Sequence, residues 1–180
     1  MNFGTQASSV AQPPEGDPAT TLADADPENV ARQILLRRLT DQPRSRAELA
    51  ESLAKKNVPD DIAQRMLDRF EELGLVNDEE FARMWVQSRQ RTKGLAPRVL
   101  SMELRRKGVD DEVIREVLAD LNPDEERAAA HQLVQKKLRS MTGLDDTTRI
   151  RRLTGMLARK GYAPQVAFDV VRIELDQASA

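Results

Sequence analysis

The sequence predicts an all-α fold of three tandem three-helix repeats, helix-turn-helix in type, that form an elongated, curved array. Three observations lead there. The stretch Leu100–Leu118, LSMELRRKGVDDEVIREVL, lies over Leu49–Leu67 when shifted back by 51 positions and over Leu153–Val171 when shifted forward by 53. In each copy, leucines at helical spacing precede a basic pair, a turn residue and a second apolar face of 3.6-residue period. No segment carries a strand signal, and the aromatics are few: Phe3, Phe70, Phe81, Trp85, Tyr162 and Phe168. Packing must rest on Leu, Val, Ile, Met and Ala. A unit this small buries its face against its neighbours, so a continuous core shared by the repeats at 27–76, 77–121 and 122–180 is expected.

Taken in order, residues 1–26 are rich in Pro, Ala, Ser and Thr and hold Glu15, Asp17, Asp24 and Asp26 with no Lys or Arg, and read as a disordered, acidic, solubilising tail. The first helix starts where Asp26 accepts a free backbone N–H and Pro27 has none to lose. Val30, Ile34, Leu35 and Leu39 give it one face, and it stops near Asp41, Gln42 and Pro43. Ser45 and Glu48 form a capping box for the second helix, which Asn57 ends in the left-handed conformation. The third opens at Pro59 and runs to Gly74 with Ile62, Ala63, Met66, Leu67 and Phe70 inward.

The second repeat restates those offsets as Val113, Ile114, Val117, Leu118 and Leu121, after a leading helix capped by Asn77, with Glu80 three later, that turns Phe81, Met84 and Trp85 to the core and ends near Gly94. The third begins with Asn122, Pro123 and Glu125, carries Leu133, Val134 and Leu138, and ends at Gly143; GLDDT then reads as a flexible link. Its last helix offers Val166, Ala167, Val170 and Val171, then Glu174 where an apolar residue is due. A terminal repeat with a wetter outer face is expected from that position.

Composition removes several function classes. Without cysteine there is no disulfide framework, cysteine-held zinc or thiol nucleophile. No run reaches the roughly 18 apolar residues of a membrane span, and no signal peptide opens the chain, so a soluble, cytoplasmic protein is expected. His131 is the only histidine and sits among alanines and leucines as a surface or boundary residue. Phosphate-binding, dinucleotide-binding, zinc-protease and serine-hydrolase motifs are absent. The acidic run Asn77–Glu80 lacks the alternating oxygen ligands of a calcium loop and is explained by helix capping. Neither an enzyme nor a cofactor is expected.

Charge is the informative feature. The net charge of −2 averages opposed blocks: 81–109 holds eight basic and one acidic residue, 110–126 one basic and eight acidic, and 127–160 nine basic and two acidic. Two columns are basic in every copy, Lys55, Arg106 and Arg159, then Lys56, Lys107 and Lys160. A cation at a helix C-terminus gains roughly 0.3–1 kcal/mol from the macrodipole, which accounts for those six. It does not account for Arg44, Arg46, Arg98, Arg149, Arg151 and Arg152, near the starts of the same helices where the dipole disfavours cations, and Arg105 adds to the excess. Placed against the dipole, they point to an anionic partner such as phosphate. Candidate binding residues are therefore Arg44, Arg46, Arg98, Arg105, Arg106, Lys107, Arg149, Arg151, Arg152, Arg159 and Lys160.

The residues also carry a resemblance. RSRAELAESLAKK (44–56), LGLVNDEEFARMWVQSR (73–89), LSMELRRKGVDDEVI (100–114) and LARKGYAPQVAFDVV (157–171) resemble the RecX family of recombination regulators, with their motifs in the expected order across about 30–175. Asn57 stands where that pattern has glycine and Asn77 where it has aspartate; asparagine serves both positions. The resemblance implies a cytoplasmic, monomeric, non-enzymatic modulator in recombination, DNA repair and the SOS response. It would bind the RecA recombinase, particularly its filament on single-stranded DNA, and lower ATPase and strand-exchange activity, with weak direct DNA contact in addition. The alternative, a helix-turn-helix reader of duplex DNA, is disfavoured by the acidic helix openings at Asp60, Asp61, Asp110, Asp111 and Glu112.

Overall fold

A computed structural model describes residues 26–178, and within them the chain is nine α-helices with no strand. They are α1 (Pro27–Asp41), α2 (Arg46–Ala54), α3 (Asp60–Glu72), α4 (Asp78–Lys93), α5 (Pro97–Arg106), α6 (Asp111–Ala119), α7 (Pro123–Leu138), α8 (Asp146–Arg159) and α9 (Pro164–Ala178). Apart from Asp26, the expected tail lies outside the described residues. Local chemistry sets the starts. Asp26 accepts from Glu28 N, Ser45 and Glu48 close their capping box, Asn77 takes the Glu80 N–H and Asp110 that of Glu112. At Asn122 the accepted N–H is that of Asp124, one residue earlier than a box with Glu125 would use. The second half of GLDDT is not a link: Asp145 caps α8 through Thr148 N and Oγ1, and the helix starts at Asp146.

Helices pack in threes. Ala31, Leu35, Leu49, Leu53, Leu67 and Phe70 form the first core, Phe81, Ala82, Leu100, Leu104, Ile114 and Val117 the second, and Ala130, Val134, Leu153, Leu157, Val170 and Val171 the third. Each buried Leu or Val contributes about 1.5–3 kcal/mol relative to exposure. The expected continuous core is absent. These are three separate clusters, the third taking in only Ala96 from the second module, and the substantial helix pairings all fall within a module. The reason lies in what meets between modules, which is helix ends carrying unpaired backbone groups rather than apolar faces.

The two junctions are copies of one another. At the first, the carbonyl of Lys107, just past the end of α5, accepts the Ser45 hydroxyl at 2.5 Å. At the second, the carbonyl of Lys160, just past α8, accepts the Ala96 N–H at 2.9 Å. Ser45 and Ala96 are aligned positions, as are Lys107 and Lys160. The carbonyl end of one middle helix thus sits on the amino end of the middle helix before it, where the partial charges are complementary. Arg46 N donates to the Asp78 carboxylate at 2.8 Å at the first junction. At the second, the Tyr162 hydroxyl donates to the Gly94 carbonyl at 3.1 Å; burial pushes that phenol up to about 12, so it stays a donor.

The approach is too close for a side chain. A Cβ at Gly108 would stand 2.3 Å from Ala47 Cβ, and one at Gly161 would stand 2.8 Å from Val99 N, both at positive φ. Asn57, the aligned residue of the first copy, has φ 55 and is exposed, and it makes no hydrogen bond to another module among the described residues. Its departure from glycine is therefore free of steric cost. At the other end, the position aligned with Ser45 and Ala96 is Arg149, already inside α8, with its N–H bonded to Asp145 O at 3.0 Å.

Three apolar assignments differ from expectation. Glu174 is buried rather than wet, accepting from Gln135 Nε2 at 3.1 Å and paired with His131 Nδ1 at 2.6 Å, so it ties α9 to α7. Met84 is exposed, and Trp85 lies at the rim of the second core, only partly buried. Gly108→Ala should lower stability by about 2–4 kcal/mol in urea melts, combining an overpacked contact with a Cβ in the left-handed region, while Asn57→Gly should shift it by less than about 0.5 kcal/mol. Equal effects at the two positions would contradict the junction geometry.

Candidate binding surface

Sorting the candidate cations by what they touch divides them in two. Arg46, at the first position of α2, donates to Asp68 and Glu71 at 2.7 Å each and to Gln64 at 2.9 Å, all on α3. Its position against the α2 dipole is thus compensated within the chain. Its own N–H partly offsets the effect of burial, which pushes the Asp78 carboxyl above its usual range. Arg44 lies 3.6 Å from Glu48. Lys107 donates to the same Glu48 at 2.6 Å and stands 4.7 Å from the Trp85 ring centroid. The ring's other contacts are Arg89 at 4.0 Å and Glu103, which accepts from the indole N–H at 2.9 Å and from Arg89 Nε at 3.1 Å. With two cations over it, Trp85 is no free platform for stacking a base.

Lys160 donates to the Lys93 carbonyl, and burial, then the Lys93 charge, lowers its proton affinity. Arg105 pairs with Asp111 at 2.7 Å, and Arg149 with Asp146 at 3.2 Å, its buried Nε having no partner among the described residues. The other five, Arg98, Arg106, Arg151, Arg152 and Arg159, are exposed, and their side chains make no hydrogen bond or ion pair among the described residues. Arg98 and Arg159 flank the Ala96–Lys160 hydrogen bond within two residues along each chain segment. Arg106 lies in the last turn of α5, and Arg151 and Arg152 lie in the first half of α8. The unpaired set therefore belongs to the second and third modules.

Sequence reasoning passed over Arg91, Lys93 and Lys136, which line a cleft with Lys160 between those two modules. The signal was in the basic blocks 81–109 and 127–160, but these three residues fall outside the repeated stretch and so drew no attention. No group of three or more His, Cys, Asp or Glu that could hold a metal ion occurs among the described residues, and no described helix is long and apolar enough to cross a membrane.

Comparison with known proteins follows the modules. Family models described as the first, second and third three-helix domains of RecX match residues 31–70, 77–118 and 124–171. Among curated relatives, the regulatory protein RecX of Mycolicibacterium smegmatis is 51% identical over 82% of this chain and 81% of its own length. That of Streptomyces coelicolor is 49% identical over 84% and 81%, and that of Thermobifida fusca 44% over 90% and 88%. The crystal structure of RecX from Lactobacillus salivarius superposes with a TM-score of 0.76 at 19% identity, covering 83% of this chain and 97% of that one, and so shares the fold. Three matched domains in order, with relatives about half identical over most of their length, mean that this chain belongs to the RecX family.

Proposed function

We propose that this protein is a regulator of recombination that binds the RecA recombinase, in particular its filament on single-stranded DNA, and lowers ATP hydrolysis and strand exchange. It acts by binding rather than catalysis, in the cytoplasm, as a single chain. The observation that carries the reading is the set of unpaired arginines on modules two and three, Arg98, Arg106, Arg151, Arg152 and Arg159, in a family whose curated relatives are named regulatory proteins. Exposed cations without carboxylate partners are the groups free to meet an anionic surface. A tandem array adds avidity, because each module that engages a successive subunit of a polymer raises the effective concentration of the next. Arg46 and Lys107 support the fold within this reading, and Arg44, Arg105, Arg149 and Lys160 stand between the two roles.

Two measurements separate these roles. Titrated into recombinase-coated single-stranded DNA, the protein should suppress ATP hydrolysis at substoichiometric ratios. Replacing Arg98, Arg106 and Arg152 by alanine should raise the concentration for half-inhibition about tenfold or more, with far-UV circular dichroism unchanged. No inhibition by the unaltered chain, together with tight sequence-specific duplex binding, would favour the duplex-reading alternative. Arg46→Ala should do the opposite, costing about 1 kcal/mol in a urea melt, since its partners are partly solvated, while leaving half-inhibition within about twofold.

A further inference from the structure

The C-terminal end of α4, the middle of α7 and the end of α8 enclose a cleft of about 530 Å3. Arg91, Lys93, Lys136 and Lys160 line it with the amides of Gln90 and Gln132, and no carboxylate does. Arg91, Lys93 and Lys136 are exposed and make no ion pair among the described residues. Such a concentration of unmatched charge is local. Two other grooves each contain a carboxylate, Asp120 in one and Glu28 in the other; Arg65, Arg69 and Arg83 in them are paired, and Arg32 is the one cation there with no ion pair among the described residues.

The repeat itself shows what is missing. Lys107 and Lys160 are aligned, and so are Glu48 and Val99. At the first junction Lys107 is neutralised by Glu48 at 2.6 Å. At the second, valine replaces the carboxylate, Lys160 turns to a backbone carbonyl, and three further cations join it around the cleft. Like charges gathered on one concave wall repel one another and hold counterions, and a ligand with several negative charges relieves both. No aromatic residue lines the cleft, so a nucleic acid there is held by its backbone rather than by stacked bases. The apolar lining is limited to Leu95, which is buried, with Leu133, Ala129 and Gly94; it offers none of the side-chain pockets by which peptides are read.

We infer that this cleft between the second and third modules binds the phosphate backbone of a single-stranded nucleic acid, with Arg91, Lys93 and Lys136 as the contacting cations and Lys160 at its base. The inference goes beyond the RecA reading and is tested with no recombinase present, so that either can fail alone.

The test measures fluorescence anisotropy of a labelled oligothymidylate with the full chain across a salt series. The variant Lys93→Glu with Lys136→Glu should bind about tenfold or more weakly near 0.1 M salt, and its slope of log affinity against log salt should shrink by about 1.4, from roughly 0.7 per lost phosphate contact. Arg37→Glu with Arg38→Glu on α1 changes the charge equally and should stay within about twofold. Melting curves check that each variant folds. If the glutamate pair does not fold, Lys93→Gln with Lys136→Gln should still reduce the salt slope. The inference is overturned if the unaltered chain does not bind the oligonucleotide, if both charge-reversed pairs lose affinity equally, if the cleft variant binds normally, or if poly-glutamate displaces the oligonucleotide better than unlabelled oligothymidylate does.

Discussion

An α-helix ends in carbonyl groups that have no partner within it and begins with N–H groups in the same condition. Here the end of α5 is set on the start of α2, and the end of α8 on the start of α5: the Lys107 carbonyl takes the Ser45 hydroxyl while the Arg46 N–H goes to Asp78, and the Lys160 carbonyl takes the Ala96 N–H. Much else follows from this placement. The turn residue after α5 and after α8 must be glycine, because Ala47 and Val99 occupy the space a Cβ would take. The modules keep separate cores, because a contact made by helix ends leaves no broad apolar face to share. At the positions aligned with the junction residues but outside both junctions, Asn57 is exposed at positive φ in place of glycine, and Arg149 lies inside α8 behind an extra turn.

Electrostatics divides along the same lines. At the first junction the cations are matched, Arg46 by Asp68 and Glu71 and Lys107 by Glu48, whereas elsewhere in the first module Arg65 pairs with Glu28 and Asp61 but Arg32, Arg37, Arg38 and Lys56 carry no ion pair among the described residues. At the second junction and beyond it Arg98, Arg151, Arg152, Arg159 and the cations of the cleft carry no ion pair among the described residues, although Arg149 pairs with Asp146. The two junctions therefore differ in how far their cations are matched, a contrast hidden by a net charge of only −2. Solvent-exposed pairs add little to stability, so the contrast bears mainly on which surface an anion can approach.

The repeat, the helix count and most caps were legible in the sequence because each depends on residues within a few positions of one another. Ser45 reads its cap from Glu48, and Asn77 from Glu80. The junctions were not legible, since Ser45 meets Lys107 across 62 residues. Glycine in the second and third copies and asparagine in the first were visible, but not the reason for the difference. Glu174 looked misplaced on an apolar face because its partners, His131 and Gln135, lie on α7, about forty residues earlier. Met84 and Trp85 were placed inward because a 3.6-residue period marks the centre of a buried stripe more sharply than its edges. For the binding surface, the charge blocks were legible but the division between paired and unpaired arginines was not. That division depends on carboxylates from other helices.

A repeated position need not repeat its role, and Lys107 and Lys160 show how the roles part. Both carbonyls perform the same task in holding a junction. The side chains meet different partners, the Glu48 carboxylate in one case and the Lys93 carbonyl in the other. The backbone of the column is constrained because each junction must form. The ammonium follows its surroundings, so where valine stands in the place of Glu48 the ion pair gives way to an unmatched cation in the same fold. Duplicated modules can in this way acquire a charged face at one junction while the other remains neutral. The basic columns that first marked the repeat are thus a requirement of folding in their main chain and a local choice in their side chains.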